Sequence, residues 1–229
     1  MKPTPVFIAA ALTLSTYAAC GAVTFTEVQS NSDTAYVANV SNSDLINQGA
    51  STLAAATVAS SYDGTAWSGA GINDGLGGTI ADGRDALYGL SPATFPRISI
   101  FDLNLATNTL GYDITSITSI AAWNNTVVGY GDQNFTVEYS VVGSASYTTL
   151  FANHAFGTLT GTGATMITAT DSSGVLASGV DSIRVTYLTP VSGRTMVQEF
   201  DVNGVATVPE PSAILLGTLG MLGLLRRRR

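Results

Sequence analysis

The sequence has few of the residues on which most enzymes and many small exported proteins depend. Its 229 residues include one cysteine, Cys20, and one histidine, His154. A single cysteine cannot form an internal disulfide bond, so the fold must be held by packing alone. A Ser-His-Asp triad would have to use His154, and the sequence contains neither an HExxH nor a GxSxG pattern. We therefore expect a protein that is not an enzyme, with His154 at the surface or in packing.

Positive charge is also scarce. Of the nine Lys and Arg residues, five lie at the two ends of the chain, which leaves four arginines against fifteen carboxylates in the body. The body thus has a formal charge of about −11. Phosphate backbones would repel such a surface, so nucleic acid is not an expected partner. An acidic surface favours solubility and can also collect divalent cations.

Long apolar runs are missing from the body, and the two short ones lie at the ends. Near the N-terminus Lys2 precedes an apolar segment, 6–14, and then a stretch of small residues. This order is typical of a secretory signal peptide, so we predict that a signal peptidase removes residues 1–22. Cys20 also fits the acylated cysteine of a lipoprotein, although Tyr17 stands where such signals favour Leu.

The C-terminal apolar run, 212–225, is 14 residues long. As a helix it would span about 21 Å against a hydrocarbon core of about 30 Å, so we predict a short transmembrane helix that holds the protein transiently in the inner membrane. A basic stop of four arginines follows it: Arg226, Arg227, Arg228 and Arg229. Because such clusters stay in the cytoplasm, the body before the helix is expected outside the inner membrane.

A Pro-Glu-Pro motif stands directly before this helix, in Val208, Pro209, Glu210 and Pro211. The motif, the short apolar helix and the basic end together resemble the PEP-CTERM sorting signal of exported bacterial proteins. The resemblance implies that an exosortase in the inner membrane processes the chain near the motif. It also implies that the product reaches the cell surface or the extracellular polysaccharide matrix. The predicted division is a signal peptide (1–22), a body (23–207) and a sorting signal (208–229).

Alternation of apolar and polar residues fills the body and predicts strands. It is regular in 134–142 and 180–188, whereas 97–105 changes phase midway, which predicts a bulge or a bend. Segment 114–123 is dense in β-branched residues without a clean period, which predicts a strand partly buried on both faces. Segment 196–204 predicts a last strand that ends in a turn.

Between these segments, stretches rich in Gly, Asn, Asp, Ser and Thr predict loops, among them 62–78 and 158–166. Segment 51–59 has the composition of a helix, but its Thr-Val pair and the turn-like residues after it favour a strand. Many short strands separated by turns in a body of this length predict an all-β fold. We expect an antiparallel β-sandwich of two sheets.

The order of several short motifs between residues 50 and 204 carries a second resemblance. ATVASSYDG is followed by INDG, by DITSI and FTVEYSVVGSASYTTL, and by GVDSIRVTY and QEFDVNG. This order resembles that of discoidin-like, galactose-binding-like jelly rolls, whose end loops bind ligands, often glycans, and which often hold a structural calcium. The resemblance implies calcium ligands at Asp74, with Asn73 in the same loop and Glu199 as a second carboxylate. The alternative is that 73–75 is merely a turn and that Glu199 is a solvated strand residue.

Aromatic residues in polar loops indicate where a sugar would bind. Trp67 lies in the Gly-rich segment DGTAWSGAG, and Tyr130 follows Trp123 and NNTVVG. Such a ring can stack on a sugar face, although a loop Trp packs inward just as often and Trp123 fits the sandwich core better. We expect non-catalytic binding of extracellular polysaccharide. The alternatives are a structural matrix protein without a ligand pocket, or a polysaccharide hydrolase that uses a pair of carboxylates.

Overall fold

The described part of the chain contains nine β-strands and one short 3-10 helix, joined by loops and turns. The computed structural model describes residues 22–32, 35–47, 52, 72–75, 87–89, 95–122, 130–157 and 163–208. The strands are β1 (Val23–Ser30), β2 (Leu87–Gly89), β3 (Arg97–Asp102), β4 (Tyr112–Ala122), β5 (Gln133–Val141), β6 (Thr148–Phe156), β7 (Ala164–Asp171), β8 (Ala177–Tyr187) and β9 (Thr195–Ala206), and the helix is Val37–Asn39.

All strand pairings are antiparallel, and they fold one hydrogen-bonded sheet into two layers. The first layer has the order β1-β7-β4-β9-β2 and the second the order β3-β8-β5-β6. The start of β4 also pairs with β8, at Tyr112 and Val180, and so joins the layers. Between the layers, the ring centroid of Phe200 on β9 lies 6.1 Å from that of Phe101 on β3 and 6.3 Å from that of Phe135 on β5. The fold is therefore the predicted all-β antiparallel sandwich.

The regular alternation in the sequence predicts the core correctly. On β8, Ile183, Val185 and Tyr187 are at most 1% exposed, and on β5 the side chains of Phe135 and Val137 are equally buried. The last six residues of β4 are all buried, which confirms the prediction of a strand covered on both faces. The named residues of β5 and β8 all belong to the hydrophobic core between the layers.

Of the predicted bulge or bend in 97–105, the structure shows no bulge in the paired part, 97–102. β3 pairs with β8 without a register shift, and it buries Arg97, Ser99 and Phe101, with Leu103 continuing the same face. Ile98 is half-buried on the outer side. Because both faces of the segment carry apolar residues beside polar ones, its alternation does not fix which face enters the core.

Two predicted strand limits are also wrong. The predicted loop 158–166 ends early, because β7 begins at Ala164. The last strand does not end in a turn at Gly204 but continues to Ala206. A Cβ atom on Gly204 would overlap the carbonyl oxygen of Asp113 on the neighbouring strand, so glycine serves there for close strand approach.

Several predicted segments lie outside the described residues. They are 51–59 except for Thr52, Trp123, the signal peptide up to residue 21, and the helix 212–225. Among the residues that are described, no helix is long and apolar enough to cross a membrane.

Candidate functional site

The side of β9 that faces away from the core carries two buried carboxylates. Successive strand residues point to opposite faces, so Phe200 enters the core while Glu199 and Asp201 lie on the other side. These two residues are nevertheless 0% and 1% exposed. The Gly75 amide donates to Glu199 Oε1 at 3.2 Å, and the Ser41 amide donates to Asp201 Oδ2 at 3.0 Å. Two loop segments, one containing Gly75 and the other containing Ser41, therefore cover this side of β9.

A third buried carboxylate, Asp44, comes from the loop segment that follows the 3-10 helix. Its Oδ1 accepts hydrogen bonds from the amides of Ile46 at 2.9 Å and Val202 at 3.3 Å. The Asn73 side chain donates to the carbonyl oxygen of Ile46 and so links the two loop segments. We call these three residues the acidic cluster: Asp44, Glu199 and Asp201.

The structure brings together the residues that the second resemblance named as calcium ligands. Asn73 is 1% exposed, Asp74 is half-buried, and the turn that contains them packs on Glu199. Segment 73–75 is thus a turn, but the alternative that Glu199 is solvated is wrong. Asp44 and Asp201, which lie beside Glu199, were not among the predicted ligands.

Burial perturbs the acid–base properties of the acidic cluster. Burial raises the pKa of Glu199 to about 9 and that of Asp201 to about 7. The negative charge of Asp201 adds to the effect at Glu199, and that of Asp44 adds to it at Asp201. At neutral pH the cluster therefore holds a proton unless a cation replaces it.

The carboxylate oxygens of the acidic cluster are ligands of the kind that a hard cation prefers. No amide or hydroxyl of the described residues donates to Asp44 Oδ2, Glu199 Oε2 or Asp201 Oδ1, although all three oxygens are buried. Calcium takes oxygen ligands of this kind. The side chains do not form a ready-made metal site, because within the described ranges no three His, Cys, Asp or Glu residues are grouped as metal ligands.

A second candidate site lies on the outer face of the second layer. The register sets Glu138 of β5 beside Arg184 of β8, and Ser140 of β5 beside Ser182 of β8. The hairpin between β5 and β6 folds back over these residues and brings Tyr147 onto β8. The Tyr147 hydroxyl lies 2.8 Å from Ser182 Oγ, and the Arg184 guanidinium carbon lies 4.1 Å from the centre of the Tyr147 ring.

This hairpin closes a cleft of about 360 Å³ at the end of β3 and the start of β8, which we call the outer cleft. It is lined by hydroxyls, carboxylates, a tyrosine ring and two leucines: Asp102, Leu103, Leu105, Ser140, Ser144, Ala145, Tyr147, Asp181 and Ser182. Ser140 donates to Asp181 Oδ1, which fixes that carboxylate at the wall. Asp102 is exposed and Tyr147 is half-buried. Hydrogen-bond acceptor oxygens and part of an aromatic ring therefore face solvent together.

Of the two aromatic residues predicted to bind ligand, Tyr130 is described and does not line this cleft. Trp67 lies outside the described residues. Tyr130 is 7% exposed, and the Arg194 guanidinium lies 5.6 Å from the centre of its ring. Little of that ring is left for a sugar in this conformation.

The body remains structured up to the start of the sorting motif. The Thr207 amide donates to the carbonyl oxygen of Gly111 at 2.9 Å, and the Thr207 hydroxyl donates to Asp113 Oδ1 at 2.7 Å. Val208, the next residue, is 71% exposed. The rest of the predicted motif and the basic stop lie outside the described residues.

His154 has a packing role on β6. Its ring stacks on that of Phe25 from β1, with centroids 3.6 Å apart, and its Nε2 lies 2.7 Å from Glu27 Oε1. The contact ties the edge strands of the two layers together.

The fold and the C-terminal sequence define an all-β sandwich that carries a sorting signal. Residues 207–229 match the family model of the PEP-CTERM protein-sorting motif. The first resemblance drawn from the sequence is thereby confirmed, and it implies export and processing by an exosortase. A search of curated proteins finds no match to this chain.

Among solved structures, the chain is similar to the carbohydrate-binding module CpGH89CBM32-5 of Clostridium perfringens in complex with GalNAc-β-1,3-galactose. The identity is 12% and the TM-score 0.42, over 64% of this chain and 94% of the module. It is also similar to the family 32 module of NanJ from C. perfringens in complex with galactose, at 14% identity and a TM-score of 0.39, over 64% and 91% of the two chains. A third similar structure is an F5/8 type C domain from Bacteroides fragilis. Its identity to this chain is 13% and the TM-score is 0.36, over 66% of this chain and 93% of the domain.

Proposed function

We propose that this chain is an exported, non-catalytic carbohydrate-binding protein that acts at the cell surface or in the extracellular polysaccharide matrix. The observation that carries the proposal is the outer cleft, where hydroxyls, two carboxylates and a tyrosine ring surround one cavity of about 360 Å³. The sorting motif at 207–229 supports a location outside the inner membrane.

The lining of the outer cleft matches the two kinds of surface that a sugar presents. Sugar hydroxyls donate to carboxylate oxygens such as those of Asp102 and Asp181, and charge-assisted hydrogen bonds of this type are among the stronger ones. The C–H face of a sugar ring packs on apolar and aromatic groups, here Leu105 and the open part of Tyr147. A volume of about 360 Å³ falls within the range of about 300–1,000 Å³ typical of small-ligand pockets.

The proposal is tested by titrating the processed protein with a panel of glycans in a calorimeter. Tyr147→Ala should weaken binding about tenfold, because it removes the ring while the strands stay paired. Asp181→Asn should have a similar effect. Thr149→Ala, an exposed change on the same hairpin, is the matched control and should bind as the wild type does. Equal binding by all four proteins would remove the outer cleft from the proposal, and Trp67→Ala would then test the loop predicted from the sequence.

The two alternative functions give different results in the same experiment. A structural matrix protein without a ligand pocket would bind no glycan of the panel. A polysaccharide hydrolase would release reducing ends, and this turnover would disappear when Asp102 or Asp181 is replaced. We expect binding without turnover.

Calcium is the structural cofactor in this proposal. No three carboxylates of the described residues are grouped as metal ligands in this structure, so Asp44, Glu199 and Asp201 would have to move together to hold the ion, with Asp74 adding charge from the covering turn. A bound divalent cation would neutralise the acidic cluster and fasten both loop segments to β9. The three buried oxygens that accept no hydrogen bond from the described residues support this assignment.

Export is tested by a mass spectrum of the protein recovered from cells. We expect an N-terminus near Val23, left by signal peptidase, and a C-terminus close to Pro209, left by the exosortase. An intact chain recovered from the cytosol would contradict the proposed location.

A further inference from the structure

We infer that the outer cleft selects sugar units that carry no carboxylate, and that Glu138 sets this selectivity by keeping Arg184 from acting as an anion receptor. The inference rests on the carbohydrate-binding function proposed above and adds the class of sugar.

The charges at the outer cleft are predominantly negative. Two carboxylates line it, Asp102 and Asp181, and Asp102 is exposed. An anionic sugar would need a cation beside them, and the described residues place a single arginine, Arg184, next to the cleft. Arg97 begins β3 at the opposite end from Asp102, and Arg194 lies over the Tyr130 ring.

Arg184 is engaged on two sides. Its Nε lies 2.7 Å from Glu138 Oε2, which compensates its charge. Its guanidinium also lies over the Tyr147 ring, 4.1 Å from the ring centre. The Arg184 and Glu138 side chains are 31% and 19% exposed, so the ion pair is partly open to solvent and Glu138 offsets the charge that a ligand would meet there. A ligand carboxylate entering the cleft would meet two like charges and a cation that is already paired.

Repulsion of this kind is large enough to choose between sugars. A uronate carboxylate about 5 Å from one carboxylate of the cleft would lose about fourfold in affinity at the dielectric constant of water, and about tenfold or more where the cleft lowers that constant. An uncharged sugar loses nothing, because its hydroxyls donate to the same oxygens that repel the uronate. The body as a whole, with a formal charge of about −11, acts in the same direction on acidic polymers.

The test compares matched pairs of polymers with the processed protein at low ionic strength, where surface charges are screened least. The probes are homopolymers of galactose, glucose and mannose, each beside the homopolymer of the corresponding uronic acid. We expect at least one neutral polymer to bind, and to bind about tenfold or more tightly than its uronic partner. Uronic polymers that bind as tightly as the neutral ones would overturn the inference while leaving the proposed function in place. Binding of neither kind would overturn both.

Two variants test the role of Glu138. Glu138→Gln keeps the size of the side chain but leaves Arg184 with an uncompensated charge, so the preference for the neutral polymer should fall several-fold. Glu27→Gln removes the same charge from β1 in the other layer and is the matched control, with the wild-type ratio expected. A ratio unchanged in Glu138→Gln, or changed equally in both variants, would overturn the role given to Glu138.

Discussion

The acidic cluster makes a prediction about stability and pH that can be worked from the structure. In the absence of calcium, burial raises the pKa of Glu199 to about 9 and that of Asp201 to about 7. In the unfolded chain both carboxyls have ordinary pKa values near 4. Between these limits the folded state binds more protons than the unfolded state, so the free energy of unfolding falls as the pH rises.

The expected slope follows from the number of protons released on unfolding. One proton corresponds to about 1.4 kcal/mol per pH unit. Between pH 5 and pH 7 the cluster holds at least one proton that the unfolded chain has lost, so the folded state loses roughly 3 kcal/mol over this interval. That amount is a large fraction of the 5–15 kcal/mol by which domains are usually stable. Calcium should offset the loss, because a bound cation takes the place of the proton and stabilises the folded state.

Urea denaturation at pH 5, 6, 7 and 8 measures this effect, once with a chelator and once with millimolar calcium. We expect a steep fall of stability with pH in chelator and a shallower one in calcium. Glu199→Gln keeps the side chain's size and can still accept from Gly75, and it should reduce the slope in chelator by about one proton. A slope in Glu199→Gln equal to that of the wild type would refute the argument that Glu199 holds a proton. Identical denaturation curves with and without calcium would refute the proposal that the acidic cluster binds calcium.

Three further substitutions test the packing described above by urea or thermal denaturation. Phe200→Ala should cost about 3–5 kcal/mol, because its ring fills the space between the layers; a cost under about 1 kcal/mol would contradict that contact. Gly204→Ala should destabilise more than Gly143→Ala, because the first adds an overlap with Asp113 whereas the second meets no neighbouring atom and carries only the strain of a φ of +82°. Glu27→Gln should cost under about 1 kcal/mol, since its contact with the His154 ring is partly solvated.

The sequence is informative about strands whose two faces differ in chemistry. β5 and β8 alternate strictly, so most of their core residues could be predicted, although Tyr139 and Val141 on the predicted core face of β5 are only half-buried. β1 and β6 were not predicted. They are edge strands whose side chains are all half-buried or exposed, so apolar residues do not alternate regularly along them. In β3 both faces mix apolar and polar residues, and the choice between Ile98 and Phe101 is made by the partner layer rather than by the strand itself.

The candidate sites depend on contacts that have no period in the sequence. Tyr147 belongs to a hairpin, and the sequence gives no sign that this hairpin folds back onto β8. Glu199 could be found only through the resemblance of its surroundings to a known fold. Alternation alone would place Asp201 in solvent, since it lies opposite Phe200, and a loop that carries Asp44 covers it instead. Strand periodicity therefore places such carboxylates in solvent, although a covering loop buries them.

The end of the fold bears directly on how processing and binding coexist. β9 ends at Ala206, and Thr207 is fastened to Gly111 and Asp113, one residue before the exposed Val208. Cleavage near the sorting motif therefore removes no residue that pairs within the sandwich. The outer cleft, built around Asp181 on β8, keeps all its lining residues after such a cut. Processing near the motif and an intact outer cleft are therefore compatible in one chain, because the sorting motif at 207–229 begins after the last strand.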